Sequence, residues 1–432
     1  MTGSQGMGGA RVLVYAYDKV GRTMAGPGVR AVSIARELAR AGAGRLEVAL
    51  GLRFPPDEAP AGLDVRHPVR LRDLVAADLV VAQTLPTALL APAIAAGARF
   101  VFDLYDPEIF ERLEIHRDAP ARERRRAAGR ARASLAARLL AGEHFAAANE
   151  RQRDLYLGAL AALGRLRAAS GRAGAEVASV APFGFEDDAP PVPPGALKGK
   201  WPGIAAGDRV LIWGGGVWNW FDPLTAIRGV ASLARARGRD DVKLFFLGTR
   251  NPNPEVKEMR TLTAAVEEAR RLGLEGRAVV FHQGWVPHRE RGAFYADADV
   301  GVSLHLPTLE ARYAFRTRIV DYLWAGLPMV VSAGDTLGDE VGREGLGAAV
   351  PGGDPDAFER AVATLLFEPG RADEARARVA RHRERYRWPV ALAPLIEGVD
   401  RALAGEGLRP TRRDRLRALA ALARGIAARV GP

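Results

Sequence analysis

The sequence contains no cysteine and little lysine. The absence of cysteine excludes disulfides, thiolate zinc sites and a cysteine nucleophile. Lysine occurs at only five positions, the last being Lys257, so the net charge of +11 and the pI near 10.3 rest on arginine. Solvated helix faces account for most of these arginines. The basic charge also suits an acidic substrate or, secondarily, an anionic membrane surface.

Long hydrophobic runs are missing as well. No apolar stretch is long enough to span a bilayer, and the first twenty residues lack a basic segment followed by an apolar one, as a secretory signal would have. These features predict a cytoplasmic protein, with weak peripheral association at the inner membrane face as a secondary expectation. The length of 432 residues, 48% of them hydrophobic, predicts two globular domains.

Short apolar segments alternate with amphipathic helical segments, which is typical of parallel α/β sheets. The first half predicts a helix over about 29–41, a long helical region over 106–140, and strands at 11–17, 46–50, 78–82, 99–104, 144–148 and 177–180. The second half predicts strands at 209–213, 242–247, 278–281, 299–304 and 328–332. Asp222-Pro223 and Asp354-Pro355 each predict a helix start, with aspartate as N-cap and proline at the first position.

A Pro/Gly-rich stretch at 182–203 interrupts this periodicity and has the composition of a linker. We therefore predict an N-terminal Rossmann-like domain at 1–185, a linker at 186–208 and a second doubly wound domain at 209–386. The remaining residues, 387–432, form a basic amphipathic tail that we expect to pack back on the first domain.

Three glycines, Gly214, Gly215 and Gly216, directly follow the predicted strand at 209–213. Glycine permits a tight turn and lets a ligand approach the backbone closely. The helix starting at Asp222 would add free N–H groups and a positive dipole end, which suit a phosphate. The spacing does not match a dinucleotide fingerprint, and a glycine-rich turn after a strand is as often only a turn.

A second group of polar residues follows the predicted strand at 299–304, at the sheet edge where α/β folds bind ligands. Arg316 and Arg318 open a helix, a position that the helix dipole makes unfavourable for cations unless an anion binds there. Asp321, one turn further on, could accept hydrogen bonds from ribose hydroxyls. An ordinary ion pair between Arg318 and Asp321 on a surface helix is the alternative.

The segment from Asp321 to Pro328, Asp-Tyr-Leu-Trp-Ala-Gly-Leu-Pro, resembles the end of the donor-site helix in family-4 glycosyltransferases. In that family two glutamates lie eight positions apart, and here Asp321 stands for the second. Phe315 matches the aromatic residue between them, whereas Tyr313 occupies the place of the first glutamate, with Glu310 the nearest acid. The family's Arg and Lys after the glycine turn are also absent.

This resemblance covers residues 209–370 and implies a GT-B fold, in which two Rossmann-like domains face each other across a cleft. It implies transfer of a sugar from a nucleoside diphosphate to an acceptor hydroxyl with retention, and without a metal or other cofactor. Arg316 and Arg318, with Arg250, would replace the missing cations, and Arg316 and Arg318 would act in catalysis. The remaining donor-site residues would be Gly214, Gly215, Gly216, Trp285, Glu310, Phe315, Thr317 and Asp321.

On the acceptor side, the resemblance implies cleft positions for Gly26, Gly28 and Arg30, although a purely structural helix entry is equally compatible with these residues. Asp103, Tyr105 and Asp106 lie at the end of a predicted strand, where a catalytic or acceptor-binding group would project. Asp103 is the catalytic candidate among them. Asp106 also fits a helix N-cap followed by proline.

Other functions share parts of this pattern. A GT-B nucleotide-sugar epimerase and a catalytically degenerate GT-B partner subunit remain open, the latter because of Tyr313 and the missing Arg/Lys pair. A phosphorylase would need a lysine late in the chain, and none follows Lys257. Nucleic-acid binding is disfavoured because the arginines are spread over many helices without an aromatic-studded strand face.

Overall fold

The computed structural model describes residues 9–166, 177–186 and 195–430. The chain forms two compact units, unit 1 from residues 1–182 together with 391–432, and unit 2 from residues 183–390. No helix within the described residues is long and apolar enough to cross a membrane. Of the predicted linker, 187–194 lies outside the described residues, whereas 195–208 packs on unit 2 with Leu197 and Ile204 buried.

The strands are short and mostly apolar. In chain order they are β1 Ala10–Ala16, β2 Leu46–Leu52, β3 Asp64–Arg66, β4 Leu79–Ala82, β5 Phe100–Asp103, β6 Gly142–Ala147, β7 Ala178–Val180, β8 Arg209–Trp213, β9 Val242–Phe246, β10 Val279–Phe281, β11 Val300–Ser303, β12 Met329–Ser332 and β13 Gly347–Val350. Central strands such as β4 and β11 are buried along their whole length, as parallel strands covered on both faces must be.

The helices cover these sheets. They are α1 Gly26–Ala41, α2 Leu71–Ala76, α3 Thr87–Ala95, α4 Glu108–Ile115, α5 Ala121–Ala141, α6 Glu150–Ala162, α7 Pro223–Arg237, α8 Arg260–Arg271, α9 Arg291–Ala296, α10 Leu309–Tyr313, α11 Thr317–Trp324, α12 Thr336–Glu344, α13 Pro355–Phe367, α14 Arg371–His382, α15 Trp388–Ala391, α16 Ala393–Leu403 and α17 Arg412–Val430. Short 3₁₀ turns lie at His288–Glu290 and Arg383–Tyr386.

Both sheets are parallel and doubly wound. In the described part of unit 1 the strand order is β3-β2-β1-β4-β5-β6-β7, and in unit 2 it is β10-β9-β8-β11-β12-β13. The chain reverses its direction of winding between β1 and β4 in unit 1 and between β8 and β11 in unit 2. Such switch points, at the carboxyl ends of the strands, are where open α/β sheets bind ligands.

Several sequence predictions are confirmed locally. Asp222 and Asp354 are the N-caps of α7 and α13, each accepting a hydrogen bond from the backbone N–H three residues on. Strands β3 and β13 were not predicted, since β3 is a three-residue edge strand and β13 consists mainly of Gly and Ala, which have low strand propensity. The single helical region predicted at 106–140 is two helices, α4 and α5, separated before Pro120.

The C-terminal tail belongs to unit 1. Helix α17 packs along α5 and also contacts α3, while α16 packs on β6 and β7. Asp414 anchors the start of α17 because it lies 3.2 Å from Arg165, and both side chains are almost fully buried. The basic tail is therefore integrated into the helical layer of unit 1.

Candidate functional site at the switch point of unit 2

The glycine turn after β8 is held by two tyrosines. The N–H of Gly214 donates to the Tyr322 hydroxyl at 2.9 Å, and that hydroxyl also lies 2.6 Å from the carbonyl oxygen of Val302 on β11. A Cβ added to Gly214 would lie 2.7 Å from the Tyr295 hydroxyl, so no larger residue fits. Gly215 has φ +69°, and open space surrounds the place of its Cβ. The backbone of the turn is therefore accessible to a ligand at Gly215.

The glycine turn is also connected to the loop after β11. The N–H of Asp222 donates to the Leu304 carbonyl at 2.9 Å, and Phe221 forms an isolated antiparallel β-bridge with His305. The structure thus brings both predicted donor-site segments together at the switch point.

The start of α7 is capped by the side chain of Asp222 instead of being left open for a phosphate. Asp222 places its own carboxylate on the first turn, at 3.1 Å from the Thr225 N–H, and Pro223 has no N–H to offer. Helix α11 is the alternative helix start for binding a phosphate. Its N-cap is Arg316, no side chain caps it, and its first turn contains no acid. Its N-terminal N–H groups form the positive dipole end near Arg318.

Arg316 forms a buried ion-pair network. Its two terminal nitrogens lie 2.8 and 2.7 Å from the carboxylate oxygens of Glu310, and its Nε lies 3.3 Å from Asp335. All three side chains are at most 4% exposed. Burial alone would raise the pKa of Asp335, but the hydrogen bond with His305 and the charge of Arg316 hold it below its usual value. Arg316 and Glu310, predicted as ligand-binding residues, are therefore bound to each other in the core.

Arg318 is buried and forms no ion pair with any of the described residues. Its Nη2 donates to the Gly216 carbonyl at 2.7 Å, and its guanidinium carbon lies 3.9 Å from the ring centre of Phe221 and 4.9 Å from that of Trp213. The residue is 7% exposed, and its Nη1 has no hydrogen-bond partner within the described residues. Burial, together with the charge of Arg316, lowers the pKa of Arg318 to about 10, so the side chain stays charged at pH 7.

Asp321 is the partly exposed acid of this site, with 25% of its side chain accessible. Its carboxylate does not pair with Arg318. One oxygen lies 3.4 Å from Nε of Arg291 and the other 3.2 Å from the Tyr295 hydroxyl. Since Tyr295 also touches Gly214, Asp321 lies beside the start of the glycine turn.

Trp285 lies against the glycine backbone. A Cβ on Gly248 would be 3.0 Å from its ring and one on Gly216 3.3 Å, so the indole covers both glycines while remaining partly exposed. Arg250 is exposed after β9, and its backbone N–H donates to Gly284 at 3.2 Å.

The two remaining donor-site candidates lie around the start of α11. Phe315 is buried, with its ring 6.3 Å from that of Tyr386, and it is thereby part of the core. Thr317 is the partly exposed first residue of α11.

In unit 1, Arg30 and Asp103 form a closed pair. Nε and Nη2 of Arg30 lie 2.6 and 2.7 Å from the Asp103 carboxylate oxygens, and Arg30 also donates to the carbonyls of Ala181 and Pro182. The two side chains are at most 1% exposed. A substrate cannot reach them in this arrangement. The structure therefore gives Asp103, the predicted catalytic acid, and Arg30 a scaffold role.

Asp106 is the predicted acceptor-side acid that remains partly exposed. It does not cap α4, whose N-cap is Pro107. Burial raises the pKa of Asp106 to about 7, opposed by a hydrogen bond from Tyr105, which is itself 2% exposed. Gly28 in α1 has no room for a side chain because a Cβ would lie 2.3 Å from the Lys19 carbonyl oxygen, and Gly26 begins that helix.

Sequence reasoning did not mark Tyr295 and Arg291 as site residues, and it gave Tyr322 no role. Tyr322 lies on the same helix face as Arg318, so its i, i+4 spacing was the available signal. Arg291 and Tyr295 belong to α9, which no motif marks.

The fold and this site together define a class. Parallel doubly wound units of this kind match solved GT-B glycosyltransferases over almost their whole length. Sucrose-phosphate synthase from Thermosynechococcus elongatus superimposes with a TM-score of 0.59 at 15% identity, covering 92% of this chain and 100% of that one. HepE from Anabaena, in complex with UDP-glucose, gives 0.60 at 15% identity over 90% and 99%. WaaG, involved in lipopolysaccharide biosynthesis, gives 0.59 at 14% identity over 92% and 100%.

Residues 208–368 match the family model of the Glycosyl transferases group 1. The match covers the glycine turn, Arg318 and Asp321. By this domain and its GT-B fold the protein is a glycosyltransferase. No curated protein sequence matches the chain.

Proposed function

We propose that the protein transfers a sugar from a nucleoside-diphosphate sugar to an acceptor hydroxyl, and that the donor diphosphate binds on the glycine turn of unit 2. The observation that carries this proposal is the charge of Arg318. A buried guanidinium without a carboxylate partner is costly. An anion on the glycine turn would supply the missing counter-charge, because Arg318 holds that turn through the Gly216 carbonyl.

The position of Arg318 and of the start of α11 also suits the departure of the nucleoside diphosphate from the sugar. As the sugar leaves, negative charge grows on the departing nucleoside diphosphate. The charge of Arg318 and the free N–H groups at the start of α11 stabilise that charge without reorganising. In this proposal they replace both a divalent metal and the cations that the family carries after its glycine turn. We further propose retention at the anomeric carbon, with Asp321 accepting hydrogen bonds from the ribose and Trp285 lining the base site.

A structural neighbour supports the choice of donor, since the crystal structure of HepE is a complex with UDP-glucose. To identify the base of the donor nucleotide, the protein is titrated with UDP, GDP, dTDP and ADP, and its melting temperature is measured at each concentration. At about 100 times the Kd, a nucleotide that binds only the folded state adds about 2.7 kcal/mol of stability. We expect one nucleotide to raise the melting temperature equally with and without EDTA.

Replacing Arg318 by methionine is expected to weaken binding of that nucleotide by about 10- to 100-fold, the worth of a charge-assisted contact. Arg312→Met, at an exposed arginine of α10, is the matched control and should leave the affinity unchanged. Equal binding by wild type and Arg318→Met would rule out the proposed diphosphate position. Binding without sugar transfer or donor hydrolysis would favour the degenerate partner subunit, in line with the burial of Glu310 on Arg316.

Helix α17 offers a surface for the second proposed partner, an anionic membrane. Its outward face exposes Leu416 by 58% and Ile426 by 50%, and the exposed Arg413 and Arg424 flank them. An apolar stripe flanked by arginines is typical of helices that lie in a membrane interface. Such a contact would hold the enzyme at the cytoplasmic face of the membrane.

We expect the protein to sediment with vesicles containing phosphatidylglycerol and to be released by salt. Leu416→Gln combined with Arg413→Gln should reduce the bound fraction, whereas Arg371→Gln on α14 of unit 2 should not. Equal binding to purely zwitterionic vesicles, or an unchanged bound fraction in the double variant, would contradict this surface.

A further inference from the structure

A cluster of charged residues lies behind Asp321. Arg291 at the start of α9 contacts Asp321 on one side and Glu186 on the other, with Nη2 of Arg291 at 3.7 Å from Glu186. Glu186 also lies 3.3 Å from Nε2 of His288, and the Arg291 guanidinium packs on the ring of Trp324, 4.9 Å from its centre. We call Glu186, His288 and Arg291 the support cluster. It joins the beginning of unit 2 to the donor-site helix α11.

The charges in this cluster do not cancel. Burial alone would raise the pKa of Glu186, but the hydrogen bond with His288 and the charges of His288 and Arg291 lower it to about 2. Burial and the charge of Arg291 lower the pKa of His288, whereas its hydrogen bond with Glu186 raises it. One arginine is therefore shared by two carboxylates, those of Glu186 and Asp321.

The contact geometry leaves Asp321 available to a ligand. In the buried ion-pair network around Arg316, this arginine donates two hydrogen bonds of 2.8 and 2.7 Å to the Glu310 carboxylate. Arg291, in contrast, comes no closer to Asp321 than 3.4 Å, at its Nε, and that Nε forms no hydrogen bond within the described residues. A carboxylate that is oriented by charge but not saturated by hydrogen bonds keeps lone pairs free for hydroxyl groups.

We propose that Arg291, held by hydrogen bonds with His288 and by the charge of Glu186, is a positioning residue that orients Asp321 toward the ribose hydroxyls of the donor nucleotide. The inference rests on the proposed function, since it concerns the same donor site. It assigns a role in that site to Glu186, which lies outside the residues that the family model matches. It also accounts for an aspartate in place of the family's longer glutamate: Arg291 and Tyr295 hold the shorter side chain from both sides.

Paired nucleotides test this proposal. The affinities of UDP, GDP and ADP are compared with those of their 2′,3′-dideoxy counterparts by calorimetry on wild type, Arg291→Gln, Glu186→Gln and Asp321→Asn. In wild type we expect the affinity of the nucleotide that binds to exceed that of its dideoxy counterpart by about 10-fold, the worth of one hydrogen bond to a charged acceptor. In Asp321→Asn and Arg291→Gln this ratio should fall to about 2, with affinity for the dideoxy nucleotide unchanged. Glu186→Gln should lower the ratio less.

A merely structural role for Arg291 predicts a different pattern, in which Arg291→Gln weakens both nucleotides equally. That result, or an unchanged ratio, would overturn the inference while leaving the donor site in place. Arg291→Lys should restore part of the ratio, and adding Arg291→Gln to Asp321→Asn should have no further effect. The control is Glu290→Gln, at an exposed carboxylate of the same turn. A wild-type protein that binds none of the nucleotides would overturn the proposed function and this inference together.

Discussion

Replacing Arg316 by methionine is expected to lower the free energy of unfolding of unit 2 by about 3–5 kcal/mol, because it leaves buried carboxylates without their counter-charge. Glu310 would lose both of its hydrogen bonds from Arg316, and Asp335 would lose its ion pair with Arg316 and keep His305 at 3.0 Å. The measurement is urea unfolding followed by tryptophan fluorescence, since Trp213 and Trp220 lie in the same unit.

The matched variant is Arg318→Met, two residues further on. Arg318 has no carboxylate partner in the described part of the chain, so its loss strands no charge and removes one hydrogen bond, to Gly216. We expect a change in unfolding free energy of about 1 kcal/mol or less, while nucleotide affinity falls. If both variants destabilised the protein equally, the distinction between a structural and a ligand-directed arginine would be lost.

Replacing Asp106 by asparagine is expected to stabilise unit 1 at pH 8 and to have little effect at pH 4. The folded-state pKa of about 7 lies above the ordinary value of 3.8. Between these two values the folded state binds a proton that the unfolded state has released, so stability falls as the pH rises through this window. A shift of about three units corresponds to about 4 kcal/mol at most, and partial exposure reduces the expected effect to about 1–3 kcal/mol.

The measurement is the unfolding free energy of wild type and Asp106→Asn from pH 4 to pH 8. The gap between the two should open as the pH passes from about 4 to about 7 and stay constant above that. Asp118→Asn, at an exposed aspartate of the same unit, should show no such opening. A gap that is constant over this range would mean that the carboxyl group of Asp106 titrates normally, and it would remove the main reason to regard Asp106 as the acid of the acceptor side.

The fold class and most of the strands could be predicted from the sequence. A run such as Arg209–Trp213 followed by three glycines, or Asp354 followed by proline, encodes a strand end or a helix start within a few residues. The missed strands β3 and β13 lack that local signal, since their place depends on pairing with β2 and β12. The family resemblance likewise follows from one continuous segment.

The roles of individual charged residues could not be predicted in the same way. Arg316 and Arg318 are indistinguishable as a doubled arginine at a helix start, yet one meets Glu310 and Asp335 and the other meets a backbone carbonyl. Asp103 has the sequence position of a catalytic acid at a strand end, but in the fold it is paired with Arg30, which lies 73 residues earlier in the chain. Such partners are far apart in the chain, and sequence spacing says nothing about which of them meet.

The sequence by itself therefore determined most of the individual strands, the glycine turn and the start of helix α7 that follows it, because each depends on contacts within one short segment. The tertiary structure alone decided which charges are neutralised in the core and which remain for a ligand. That outcome depends on burial and on partners from distant segments, such as Glu186 and Arg291 behind Asp321. A charge remains available for a ligand when the fold orients it without saturating its hydrogen bonds.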